Sequence, residues 1–213
     1  MIVKDIRQNS DIKKIVLHHS THIAERTGAA MNKGYISTGQ FGLPYDILIN
    51  TDGTVDLSSR WFYGSNSVQF LKNVSITSIT TYSNHYLSVM GDTPDMNKNA
   101  VHIALAGNFD VNKPALQQLN SLVKVLNQLI QFYQIDPRIY FYYHNELSRR
   151  SCPGVNMMPK QQLIGMLTLR LFPDFIIQKA GVDVVIDPTI LNFTGSKVAV
   201  TIDNDTVNIN YSL

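Results

Sequence analysis

A chain of 213 residues, 44% of them apolar, is long enough for one domain with a well-buried core plus an extension, and too apolar for a disordered tail or a low-complexity scaffold. Eighteen Lys and Arg against sixteen Asp and Glu leave a formal charge of +2, far below the basic excess with which nucleic-acid binders displace counterions, so no nucleic-acid partner is expected. No apolar run approaches the roughly 18 residues needed to span a bilayer, and the first ten residues lack a signal-peptide core, so no membrane insertion is expected and synthesis is expected in the cytoplasm. Cys152 has no second cysteine to pair with and is left as a buried small hydrophobe, a nucleophile or a metal ligand.

In chain order, Lys14 to His18 is a β-branched run that predicts a buried strand ending in two histidines, His18 and His19. Tyr45 to Asn50 predicts a second strand. The Asp52-Gly53 turn signal and Val55-Asp56-Leu57 after it make that strand half of an antiparallel hairpin. Residues from Asn66 to Asn99 are rich in Ser, Thr and Asn with weak periodicity, and predict mainly an inserted or elaborated loop. Val101 to Ala106 is a third strand. Pro114 opens the clearest helix, with Leu116, Leu119, Leu122, Val123, Leu126, Leu129, Ile130 and Tyr133 on one face. Gln117, Gln118, Lys124, Asn127, Gln128 and Gln131 lie on the other, and Asp136-Pro137 ends the helix. Ile139 to Tyr143 predicts a fourth strand, followed by His144, and a second helix begins near Pro159 with Leu163, Met166, Leu167 and Leu171 inward. Beyond Pro173, Val198, Val200 and Ile202 and then Val207, Ile209 and Tyr211 alternate around Asp203-Asn204-Asp205, a β-hairpin pattern.

His18 and His144 thus follow or end separate strands, and Cys152 comes eight residues after His144. Two imidazoles and a thiolate suit zinc, and three protein ligands leave a fourth position open, as in a catalytic site. Six histidines allow many such triples, and alone His18 reads as a satisfied core histidine and Cys152 as an inert thiol. Their surroundings decide.

Four blocks carry that decision: Ile15-Val16-Leu17-His18-His19-Ser20, Leu43-Pro44-Tyr45-Asp46-Ile47-Leu48-Ile49 with Asp52-Gly53-Thr54-Val55, Ile103-Ala104-Leu105-Ala106-Gly107-Asn108-Phe109, and His144 through Ser151-Cys152-Pro153-Gly154. In this order they resemble the zinc-dependent N-acetylmuramoyl-L-alanine amidases of type 2, a family shared by phage endolysins and peptidoglycan recognition proteins. The resemblance covers about Ile15 to Leu171 and implies one zinc ion held by His18, His144 and Cys152, with Tyr45 as the active-site tyrosine. Phage members place a catalytic lysine two residues before the zinc cysteine, where this chain has Arg150. Arg stays protonated, so Arg150 is assigned an electrostatic rather than a proton-donating role, and Glu146 is a weaker candidate donor. His19 is either a neighbour that orients a ligand or a groove residue; Arg60 and Trp61 fall where the family lines its substrate groove. His22, His85 and His102 are given no catalytic role.

The expected architecture is α/β: a mixed central β-sheet flanked by helices in the type 2 amidase and peptidoglycan recognition protein manner, with a small C-terminal β-hairpin extension. The expected domains are 1–172, carrying the zinc site and the elaborated loop of about 66–99, and 173–213. The resemblance implies hydrolysis of the amide between N-acetylmuramic acid and L-alanine in bacterial peptidoglycan, by an endolysin or a virion-associated enzyme made in a host cytoplasm and released by a holin or carried on a particle. The alternatives are a peptidoglycan-binding module that does not cut, or a structural subunit of a phage particle. Non-enzymatic relatives commonly lack the cysteine ligand, so Cys152 argues for hydrolysis. A charged share of only 16% is compatible with contacts in an oligomer or particle through the extension.

Overall fold

The runs richest in Ile, Val and Leu form the centre of the sheet, because a strand covered on both faces needs apolar residues at successive positions and not only at alternate ones. The computed structural model describes residues 6–21, 27–40, 42–58, 60, 70–81, 84–86, 90–171, 176–179, 182–185, 197–203 and 206–212. Its elements are β1 (Ile6–Gln8), β2 (Lys14–His19), α1 (Gly28–Ser37), β3 (Ile47–Ile49), β4 (Val55–Leu57), a 3-10 turn (Ile76–Thr81), β5 (Asn84–Tyr86), α2 (Pro94–Asn99), β6 (Ala100–Leu105), α3 (Leu116–Tyr133), α4 (Pro137–Tyr140), β7 (Phe141–Tyr143), a 3-10 turn (His144–Glu146), α5 (Lys160–Leu171), β8 (Ile176–Lys179), β9 (Val182–Val185), β10 (Lys197–Asp203) and β11 (Thr206–Ser212).

Five strands join in the order β4-β3-β6-β2-β7. β2, β3, β6 and β7 run parallel, and β4 is antiparallel at one edge, so the sheet is mixed as expected. The β3–β4 hairpin closes where Asp-Gly predicts it: Asn50 N–H donates to Thr54 O at 2.8 Å, and Gly53 takes φ +85°, a left-handed conformation that favours glycine. β1 pairs with β5 in a separate two-stranded sheet. β5, α2 and the 3-10 turn at Ile76–Thr81 all lie within 66–99, so part of the region expected to be loop is built from short elements. α1 was not anticipated; Thr27 caps it, accepting from Ala30 N–H at 3.3 Å, but it buries only Gly28, Met31 and Asn32, too few for a visible apolar stripe.

Two boundaries differ from expectation. α3 begins at Leu116, two residues after Pro114, and ends at Tyr133, where Gln134 caps it in the left-handed region (φ 54°). Asp136-Pro137 then opens a helical turn: the Asp136 carboxylate accepts from Arg138 N–H at 2.9 Å, with proline at the first helical position, so the strand expected from Ile139 starts at Phe141. The α3 stripe is also corrected at its start, where Leu116 is 70% exposed and Gln118 1% exposed. Gln118 Nε2 donates to Ala106 O at 2.9 Å and Ile49 O at 3.3 Å, and its Oε1 accepts from Ala115 N–H at 3.1 Å. In α5, Leu163, Ile164 and Leu167 are buried while Met166 is half-buried.

The chain divides into two compact units, Met1–Leu167 and Thr168–Leu213. In the second, β10 and β11 pair antiparallel with Val198 opposite Tyr211, Val200 opposite Ile209 and Ile202 opposite Val207, and β8 pairs with β9 in a second hairpin. Among the described residues no helix is long and apolar enough to cross a membrane.

Candidate active site

Strand register assembles the site. Leu17 of β2 lies opposite Tyr143 of β7, so His18 and His144 follow side by side at the same end of adjacent parallel strands. Successive side chains on a strand point to opposite faces, so only one of His18 and His19 can face His144. It is His18, whose ring centroid is 4.4 Å from that of His144. Cys152 arrives from the loop after the His144 turn, where Asn145 N–H donates to Cys152 O at 2.6 Å and Ser151 Oγ donates to Asp110 Oδ2 at 2.6 Å. Gly154, at φ +105°, lets this loop pass so close to Phe109 that a Cβ would meet its main chain.

One ligand atom each from His18, His144 and Cys152 lies within 4.8 Å of the others. His18 Nδ1 is 3.6 Å from Cys152 Sγ, and His19 N–H donates to that sulfur at 3.4 Å. All three residues are buried. Burial, with His102 and His144 adding to it, lowers the His18 pKa well below the ordinary imidazole value, so the ring is a neutral donor. Burial pushes the Cys152 thiol up to about 11, opposed by the His19 main-chain N–H and the Arg150 charge; as a ligand of a divalent cation Cys152 would instead be held as the thiolate. His144 Nε2 lies 3.4 Å from Asp92 Oδ2, and its Nδ1 has no hydrogen-bond partner among the described residues although buried. A buried imidazole nitrogen without a partner, beside a second neutral imidazole and a thiol, fits a zinc ion.

Tyr45 is buried beside the triple, its ring centroid 5.5 Å from that of His18, and its hydroxyl donates to His19 O at 3.2 Å. Burial raises its pKa, so it remains a phenol. The Arg150 side chain is exposed, and its positive charge reaches Tyr45, His144 and Cys152, favouring their deprotonated forms. The ring of His19 turns away from the triple, and its Nδ1 accepts from Phe109 N–H at 3.0 Å. Arg60 is buried, with Nε donating to Leu43 O at 3.2 Å. Trp61 and His22 lie outside the described residues, as does the His85 side chain. Glu146 is committed elsewhere: it accepts from Tyr143 N–H at 2.6 Å and pairs with Lys160 at 2.8 Å.

Sequence reasoning passed over two residues at the site, Asp92 beside His144 and His102 beside His18. His102 had one signal: it sits two residues before Ala104, the register partner of His18, and therefore on the same face, but the parity is meaningful only once the register is known. Burial lowers its pKa to about 4.

Residues 8–155 match the family model described as N-acetylmuramoyl-L-alanine amidase (Amidase_2). Among curated proteins none matches this sequence. Solved structures share the fold: the endolysin amidase LysCS from Clostridium intestinale URNW has a TM-score of 0.52 at 21% identity, over 76% of this chain and 88% of that one. The Ph2119 endolysin from Thermus scotoductus MAT2119 bacteriophage Ph2119 gives 0.50 at 18%, over 73% and 84%. The ectodomain complex of the peptidoglycan recognition proteins LCa and LCx, bound to tracheal cytotoxin, gives 0.51 at 16%, over 81% and 87%. The family match spans most of the chain and contains all three converging candidate ligands, and the mixed sheet is that of the type 2 amidases and peptidoglycan recognition proteins: this chain belongs to the N-acetylmuramoyl-L-alanine amidase family.

Proposed function

We propose that the protein is a zinc-dependent hydrolase that cleaves the amide between the lactyl group of N-acetylmuramic acid and L-alanine in bacterial peptidoglycan. The observation that carries this reading is the convergence of His18, His144 and Cys152, remote in sequence, to within 4.8 Å in the arrangement the family match implies. Those three residues would hold one zinc ion, which when bound supplies a Lewis acid for the scissile carbonyl and acidifies the attacking water. His18 and His144 are kept neutral by burial and are ready to donate lone pairs. Tyr45, held as a phenol, would turn its single O–H from His19 O to donate a hydrogen bond to the developing oxyanion. Arg150 adds a permanent positive charge from the rim, favouring anionic forms at the centre without exchanging a proton.

Likeness to endolysins and to a complex holding tracheal cytotoxin supports peptidoglycan as the substrate and a phage lysin, free or virion-borne, as the setting. The full ligand set favours cutting over binding alone.

Purified full-length protein is incubated with peptidoglycan and the products are read by mass spectrometry, with metal analysis of the same sample. The expected result is one zinc per chain and stem peptides with free L-alanine amino termini, with release abolished by a chelator and by Cys152→Ala. Undiminished release in both conditions, or saturable wall binding with no new amino termini, overturns the hydrolase reading.

A further inference from the structure

The hydrolysis proposed above makes no use of the third imidazole in the cluster. His102 is fully buried in β6, and strand alternation puts it on the face that carries His18. Both of its ring nitrogens are engaged. Nε2 lies 3.2 Å from Met96 O, and Nδ1 lies 2.9 Å from His18 Nε2. A carbonyl oxygen can only accept, so the His102 proton resides on Nε2 and Nδ1 presents a lone pair. The contact between the two rings requires one donor, which is then His18 Nε2–H. His18 Nδ1 is left with its lone pair, and that is the atom facing Cys152 Sγ at 3.6 Å.

The start of this chain of bonds is itself fixed. Met96 lies in α2, where its carbonyl also accepts from Ala100 N–H at the helix end; two lone pairs accommodate both donors. The His102 main chain is held by Asp46, whose Oδ2 accepts from His102 N–H at 2.8 Å and whose carboxylate pairs with the buried Arg7 at 2.7 Å.

We propose that His102 is a positioning residue for the metal centre: the Met96 carbonyl sets its tautomer, and it in turn holds His18 as the Nε2–H form with the Nδ1 lone pair aimed at the metal position. The inference rests on the zinc reading above. It assigns a function to α2, which supplies the carbonyl from within the stretch that reads as loop in the sequence. An imidazole free to choose its tautomer and rotate must be ordered when the ion binds, and loss of such a partner typically weakens metal affinity about 10- to 100-fold.

The test uses full-length protein. Zinc affinity is measured by competition with a chromogenic chelator for the wild type, His102→Phe and His102→Gln, with folding of each checked by circular dichroism. His102→Phe is expected to bind zinc about 10- to 100-fold more weakly. His102→Gln, whose side-chain oxygen can accept from His18 and whose amide can donate to Met96, is expected to recover most of that loss. Equal affinity in the wild type and His102→Phe overturns the proposal while leaving the zinc site standing, whereas a wild type that binds no zinc overturns both. Long-range proton–nitrogen correlation spectra of the metal-free wild type need no variant: both rings are expected as Nε2–H, and a His102 proton found on Nδ1 overturns the proposal whether or not either variant folds.

Discussion

His18 and His19 are chemically identical and adjacent, yet only one reaches the centre. Alternation along β2 decides between them, and the two split the work: the His18 ring faces the ligand cluster, while His19 offers its main-chain N–H to Cys152 Sγ and its ring to the Phe109 loop. Tyr45 can be tested on its own because phenylalanine fills the same buried volume. Tyr45→Phe is expected to keep zinc stoichiometry and to lower kcat about 10²-fold, the typical effect of deleting one oxyanion donor, with a stability loss of about 1 kcal/mol for the bond to His19 O. Steady-state kinetics on solubilised peptidoglycan, read beside a denaturant melt, check both; an unchanged kcat would confine Tyr45 to packing. His18, His144 and Cys152, as candidate ligands, and Tyr45 beside them could be singled out in the sequence because local motifs surround them. Asp92 and His102 were not, since what makes them relevant is a neighbour remote in the chain.

Among the elements, α3 shows how far an amphipathic pattern can be trusted. Its apolar stripe predicts the buried Leu122, Val123, Leu126, Leu129 and Ile130. It fails in the first turn, where Leu116 is exposed and Gln118 is buried between the ends of β3 and β6. A polar residue was wanted there because Ala106 lies just past the end of β6: its N–H donates to Ile49 O at 2.9 Å, while among the described residues its own carbonyl accepts from Gln118 Nε2 and from no strand. Gln118→Leu is therefore expected to destabilise the protein by about 1–3 kcal/mol, despite being the more apolar choice at a buried position. Urea unfolding of the metal-free protein measures this, and a neutral or stabilising result would show that another donor satisfies the Ala106 carbonyl. α1 and the turn of α4 were missed for a different reason: both depend on caps, Thr27 and Asp136, that act over a few residues and leave almost no periodic trace.

At the scale of the whole molecule, buried imidazoles at the sheet's end make folding sensitive to acid. Burial lowers the pKa values of His18, His19, His102 and His144, His102 from 6.5 to about 4. Above pH 6.5 these rings are neutral in folded and unfolded chains alike; below it the unfolded chain binds protons that the native state refuses, so stability falls as pH falls from 6.5 to about 4. At about 1.36 kcal/mol per unit, His102 alone accounts for a loss on the order of 3 kcal/mol across that window. The melting temperature of metal-free protein is expected to drop between ~pH 7 and ~pH 5, with a smaller drop in His102→Phe. Melting that is flat over this range would show that the rings are charged in the native state. The amino-acid order alone determined the central strands, the antiparallel edge hairpin, the main helix and the identity of three metal-binding candidates, because strand, turn and helix patterns are written in neighbours a few residues apart. Only the tertiary structure decided which histidine of β2 shares a face with His144, which buried glutamine ties two strand ends and which third imidazole backs His18. Those outcomes depend on strand register, a relation between segments about 100 residues apart that no local pattern encodes.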